Sequence, residues 1–181
     1  MGFIAIVGSG ALGGAVAHAL AVRDRVTEVR LIDPAGQVAR GKALDIQQSS
    51  PIDGFSTRLS AAESIEAAVG ADVVVIADAA EGNVEHAGEA GLGLLRHLVR
   101  AGSRAPVLCA GASQRDLVGK AVTDLRLARA QIIGSAPFAL ESALRAMAGL
   151  ALDGSAVEVC LRVVGLPPRS EAVPWEAATA H

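Results

Sequence analysis

Six residues near the amino terminus, Gly8-Ser9-Gly10-Ala11-Leu12-Gly13, follow the pattern G-x-G-x-x-G, and an acid, Asp33, comes twenty residues after Gly13. The chemistry open to such a set is recognition of a diphosphate-linked dinucleotide. Gly8 permits a tight turn. Gly10 leaves the backbone bare where a pyrophosphate approaches, and Gly13 lets a helix pack close to a sheet. The start of that helix offers unpaired N–H groups and the positive end of its dipole to the phosphates. A carboxylate at Asp33 would bond ribose hydroxyls and repel a 2′-phosphate, which predicts NAD and not NADP. The turn from Ala77 to Ala79, after a later apolar run, is expected to line the same site.

A second set of reactive side chains lies in AAEGNVEHAGEAG, Ala79 to Gly91. Glu81, Glu85 and Glu89 are four apart and would share one face of a helical loop with His86 nearby. That arrangement suits either an acid/base set or a solvated acidic face. One histidine among flexible glutamates is poor metal-ligand spacing, so the acidic face is the reading adopted and no metal is expected. His18 and His97 read as packed or surface residues and His181 as a terminal one. Ser113 and Ser142 have no neighbouring base and no nucleophile-elbow motif.

The elements that must position these residues alternate. Apolar runs at Phe3–Val7, Val29–Ile32, Thr57–Ser60, Ala71–Ala77, Pro106–Cys109 and Gln131–Ile133 predict six strands. Helical spacing predicts helices over Ala11–Val22, Gln37–Gln48 (stopped by Pro51), Leu92–Arg100, Ser113–Leu127 and Phe138–Leu152. Ser60-Ala61-Ala62-Glu63 reads as a capping box for a further helix. ADVVVIA is apolar on both faces, as a central parallel strand must be. Strand–helix alternation of this kind predicts a parallel sheet covered on both faces. Val157–Val164 alternates instead, which predicts a half-exposed strand of different character. The chain therefore divides at about residue 152, with 1–152 as the nucleotide-binding unit and 153–181 as a separate extension.

Composition excludes several classes. The chain has 181 residues, 51% of them hydrophobic but only 2% aromatic, with no Tyr. Such a core is built of Ala, Val, Leu and Ile, and it offers no stacking platform for single-stranded nucleic acid. A net charge of −3 gives no basic patch for nucleic acid or an anionic membrane. Cys109 and Cys160 both sit in apolar runs and read as buried free thiols. No apolar run is long enough to span a bilayer, and no signal peptide precedes the first strand. A cytoplasmic location is expected.

Five separated segments then line up in order: the glycine motif, GKALDI (Gly41–Ile46), ADVVVIADAA (Ala71–Ala80), IIGSAPFALESALRAM (Ile132–Met147) and VVGLPPRSEAVPW (Val163–Trp175). Together they resemble the lactate/malate dehydrogenase family. The resemblance implies a doubly wound, mostly parallel Rossmann sheet with helices on both faces. It also implies NAD binding, hydride transfer on a 2-hydroxy acid, and pairing of chains through helices such as Gly36–Gln48.

The departures from that family pattern fall on its chemistry. Where the family places its proton-transfer histidine, this chain has Gly165-Leu166-Pro167-Pro168-Arg169, and proline is neither acid nor base. Glu141 stands for the orienting aspartate. Leu144 stands for the substrate-clamping arginine, with Arg145 about 100° further round the helix. The loop Ala79–Gly91 has no arginine, Ser113 replaces a positioning asparagine, and Gln114 follows it where proline is usual. Ala79, preceded by Asp78, replaces a turn glycine. The family continues through a substrate domain of which residues 153–181 would be only a remnant. The expectation is therefore an NAD-binding relative, truncated and without the family's reaction, that forms homo-oligomers. Two alternatives stand beside it. One is an enzyme that reuses the old pocket on another small molecule, with Asp78, Glu85, His86 and Glu141 as acid/base groups. The other is a non-catalytic oligomerisation module.

Overall fold

The computed structural model describes residues 2–112, 114–166 and 170–180. Six strands form one wholly parallel sheet in the order β3-β2-β1-β4-β5-β6. They are β1 (Phe3–Val7), β2 (Glu28–Ile32), β3 (Arg58–Ala62), β4 (Val73–Ile76), β5 (Val107–Cys109) and β6 (Ile132–Gly134). The order reverses between β1 and β4. Chain crossovers leave that junction in opposite directions, and in sheets of this kind the carboxyl ends of these two strands are where a ligand crevice forms.

Alternation along the central strands divides the core between the two faces. Ile6, Leu31 and Val75 pack on one side against Ala17 and Ala21 of α1 (Ala11–Val22) and Ala39 and Ala43 of α2 (Gly36–Asp53). The four alanines let both helix backbones approach the sheet. Ala5, Val7, Val74 and Ile76 pack on the other side against Leu92, Leu95 and Leu98 of α3 (Gly88–Arg100) and Leu117 of α4 (Arg115–Thr123). Each such leucine, fully buried, contributes about 1.5–3 kcal/mol.

Several local expectations are corrected. Ser60–Ala62 belong to β3 and pair with Arg30–Ile32, so Ser60 caps no helix. The Ser60 hydroxyl instead donates to Glu28 (2.6 Å), and only a 3-10 turn, Ile65–Ala68, follows. That turn still buries Ile65 and Ala68 in the core, and a charged cluster lies beside it. Arg30 donates to Glu28 (2.8 Å) and to the Ala67 carbonyl (2.9 Å), with its guanidinium 4.3 Å above the Phe3 ring. Arg58 also donates to Glu28. Burial pushes the Glu28 carboxyl up, but hydrogen bonds from Ser60, Arg58 and Arg30 outweigh it and bring it down to about 2.

Pro51 does not stop α2, which runs to Asp53 and ends where Gly54 turns left-handed (φ 73°). Val157–Val164 is not one strand. It contains β7 (Val159–Cys160) and the start of β8 (Val164–Leu166). β8 pairs with β9 (Ser170–Ala172), and β7 with β10 (Thr179–Ala180), both antiparallel and outside the main sheet. Cys160 is exposed, contrary to expectation, whereas Cys109 is fully buried and burial pushes its thiol up to about 12. Among the described residues, no helix is long and apolar enough to cross a membrane.

Candidate dinucleotide site

The glycine motif lies at the carboxyl ends of the paired strands β1 and β4. Gly8 takes φ 103°, a conformation that L side chains rarely adopt, and its N–H donates to Ile32 O (2.8 Å). A Cβ at Gly8 would overlap the Asp78 carbonyl, and one at Gly13 would overlap the Gly8 carbonyl. The loop is thus clamped between β4 and its own helix, and the glycines are needed for that approach whatever else binds there.

Helix α1 begins with N–H groups that have no intrahelical partner. In this protein side chains take them. The Asp78 carboxylate accepts from Leu12 N (3.0 Å) through Oδ2 and from Gly13 N (2.8 Å) through Oδ1. Asn83 Oδ1 accepts from Ala11 N (2.8 Å). The Asp78 carbonyl also accepts from Gly10 N (2.9 Å), and Lys42 Nζ donates to the Gly10 carbonyl. Asp78 is 3% exposed.

Asp33 reaches the expected place at the end of β2 but turns toward the glycine loop. Its Oδ2 accepts from Ser9 N and Ala80 N (both 2.9 Å), and its Oδ1 from Ala35 N (2.9 Å). Burial opposes its ionisation. The three amides outweigh burial and hold the carboxyl below the usual aspartate value. Asp33 therefore ties together the loops that follow β1, β2 and β4.

Asp78 and Asn83 sit on one hairpin. Asp78 bridges Glu85 in antiparallel fashion, Ala79 N donates to Val84 O (2.9 Å), and Gly82 and Asn83 turn with φ 74° and 48°. Glu85 Oε1 accepts from Ala112 N (3.0 Å), beyond the end of β5. Glu89 lies in the first turn of α3, so Glu81, Glu85 and Glu89 do not share a helix face. His86 N donates to Ala77 O (3.0 Å). Burial lowers the His86 imidazole from its ordinary value, while the charges of Asp33 and Asp78 pull the other way.

The structure thus gathers Gly8, Ser9, Gly10, Ala11, Leu12, Gly13, Asp33, Asp78, Ala79, Glu85 and His86 at one place, whereas Ala77, expected to line the site, is fully buried in the core beneath it. Glu141 is on α5 (Ala136–Ala151), where it accepts from Val163 N (3.4 Å). Arg145 turns its Nε to Val159 O (2.7 Å). Ser113 and Pro167-Pro168-Arg169 lie outside the described residues. Sequence reasoning missed Asn83 and Lys42. The Gly82-Asn83 turn pair was a local signal for the first; nothing local points Lys42 at Gly10.

The family described as lactate/malate dehydrogenase, NAD binding domain, matches residues 3–97, just over half of the chain. The chain belongs to the lactate/malate dehydrogenase family. Among similar members, the malate dehydrogenase of Pelagibacter ubique (strain HTCC1062) is 41% identical over 73 residues, 40% of this chain and 23% of that one. Solved members share the fold. The lactate dehydrogenase of Cryptosporidium parvum, complexed with lactic acid and nicotinamide adenine dinucleotide, superposes with a TM-score of 0.81 at 21% identity over 98% of this chain and 58% of its own. The malate dehydrogenase of Salinibacter ruber gives 0.81 at 22% identity, over 98% and 59%. This family member spans less than three fifths of the length of those solved chains and matches under a quarter of the Pelagibacter chain.

Proposed function

We propose that the chain is an NAD(H)-binding domain of the lactate/malate dehydrogenase type whose own residues do not carry hydride transfer to or from a 2-hydroxy acid. One observation carries the binding half. A carboxylate already sits bidentately on the Leu12 and Gly13 amides, so the cradle has the donors and spacing an anion requires. Bare backbone at Gly10, beside which the Asp78 carboxylate now lies, adds the close approach that a pyrophosphate needs. The residues therefore fit the dinucleotide, which supplies hydride chemistry at its nicotinamide ring when bound.

In this reading the amides of residues 11–13 hold the pyrophosphate. Asp33 keeps the loops in register, and its charge disfavours a 2′-phosphate. Ala79 lines the nicotinamide side, and Ala77, fully buried in the core with Ile6 and Val75, supports it from beneath. The loss of the reaction rests on the sequence. No histidine stands in Gly165–Arg169, Leu144 offers no cation, and the acidic hairpin would repel a carboxylate substrate. The division into 1–152 and 153–181 belongs to the same proposal. So does homo-oligomer formation, supported by exposed Val38, Leu44 and Ile52 on α2. Its two free thiols suit a cytoplasmic protein.

Calorimetric titration with NADH, NADPH and ADP-ribose tests the proposal, alongside an assay for lactate and malate oxidation with NAD. NADH and ADP-ribose should bind, NADPH at least tenfold more weakly, and neither acid should turn over. Oxidation of either acid at a rate that Asp33→Arg abolishes would overturn the non-catalytic half. Absence of binding by all three ligands would overturn the other.

A further inference from the structure

Besides the Asp78 carbonyl on Gly10 N, four side-chain ties fasten the hairpin from Asp78 to Glu85. Asp78 holds Leu12 N and Gly13 N, Asn83 holds Ala11 N, Ala80 N is held by Asp33, and Glu85 holds Ala112 N. Every tie is a carboxylate or amide oxygen on a backbone N–H. Two of the four occupy the first three amides of α1, which is where a phosphate would bind.

The geometry points to an autoinhibitory gate: the Asp78 carboxylate is an internal occupant of the phosphate cradle, and a dinucleotide enters only by expelling it. The inference rests on the dinucleotide reading above. Its logic is competition of like for like. A carboxylate and a phosphate oxygen both want the Leu12 and Gly13 N–H groups, and two anions cannot share them at hydrogen-bond distance without strong repulsion.

The main chain of Asp78 is pinned by Gly10 N, so the side chain swings out while the strand end stays. Asn83 must leave with it, since it sits on the adjacent Ala11 amide. Above the base of the hairpin, which His86 N holds to Ala77 O, one cross-strand hydrogen bond, Ala79 N to Val84 O, closes the Gly82-Asn83 turn. Apparent affinity is then the intrinsic affinity multiplied by the fraction of molecules with the hairpin open. The internal occupant loses little entropy on binding and competes at high effective concentration.

Titration of ADP-ribose and NADH into the whole chain and into Asp78→Ala, Asp78→Asn and Asn83→Ala tests the gate. Asp78→Ala should tighten both ligands at least tenfold, Asp78→Asn less, and Asn83→Ala least. Equal affinity, within twofold, for the parent chain and Asp78→Ala overturns the gate and leaves dinucleotide binding standing. No binding by any of the four overturns the dinucleotide reading and the gate with it. Hydrogen exchange on the unmutated chain decides the matter should Asp78→Ala fail to fold. Saturating ADP-ribose should speed exchange of the Ala79 amide at least tenfold while Leu12 and Gly13 stay protected. An Ala79 amide unchanged by a bound ligand overturns the gate.

Discussion

At the carboxyl ends of β1 and β4 most polar groups are matched, with acids on amides and a lysine on a carbonyl, and the buried Ser9 hydroxyl is the exception. Along α5, by contrast, Phe138, Met147 and Leu150 stand exposed, the last at 83%, and only Ala136 and Gly149 of that helix are buried. The crevice is finished within the chain, and the α5 face is not. The difference teaches where substitutions are expensive. A helix N-terminus closed in this way has little slack, because an atom added at Gly8 or Gly13 meets backbone. An unfinished apolar face has slack in plenty, because its side chains have yet to be packed.

Glycine gives the sharpest test of that contrast. Gly13→Ala places a methyl group against the Gly8 carbonyl and should cost about 3 kcal/mol in urea unfolding. Gly119→Ala, on α4 with nothing within 4 Å of the added carbon, should stabilise by about 0.5–1 kcal/mol. Equal effects at the two sites would erase the distinction.

Glu28 extends the matched region to the opposite end of the sheet. Glu28→Gln should cost about 2 kcal/mol, since it removes a charged acceptor from Arg30, Arg58 and Ser60. The folded carboxyl titrates at about 2, below its unfolded value of about 4.3. Its contribution is therefore complete above about pH 4.5 and disappears as pH falls through about 2. Unfolding curves over that interval should fall more steeply for the parent chain than for the variant.

The smallest effect belongs to α5. Leu150→Glu should alter monomer stability by less than about 0.5 kcal/mol. The same substitution should weaken self-association in sedimentation if copies of the chain meet on this face. A loss of several kcal/mol from the monomer would show that the α5 face is finished after all.

Much of the first half was legible in the sequence because its signals are local. Phe3–Val7, the glycine motif and the helix behind it are contiguous, and ADVVVIA announces a buried strand by composition alone. What escaped depended on distant partners. Ser60 looks like a helix cap beside Glu63, but Glu28, buried on the neighbouring strand, claims its hydroxyl. Pro51 sits in the last turn of a helix that simply runs past it to a glycine cap. Cys160 lies in an apolar run whose strand is only two residues long at a small outer pair. Asp78 could be read as an acid beside the cofactor turn. That it caps α1 across 65 residues of sequence is a property of the crossover between β1 and β4 and not of any spacing along the chain.

The four-point hairpin also has a kinetic meaning. When a site must open before it can hold anything, the rate of capture climbs with ligand concentration only until opening itself becomes limiting. Stopped-flow traces on this chain would then level off at a ceiling shared by every dinucleotide, whatever its affinity. The height of that ceiling would be the clock rate of the hairpin.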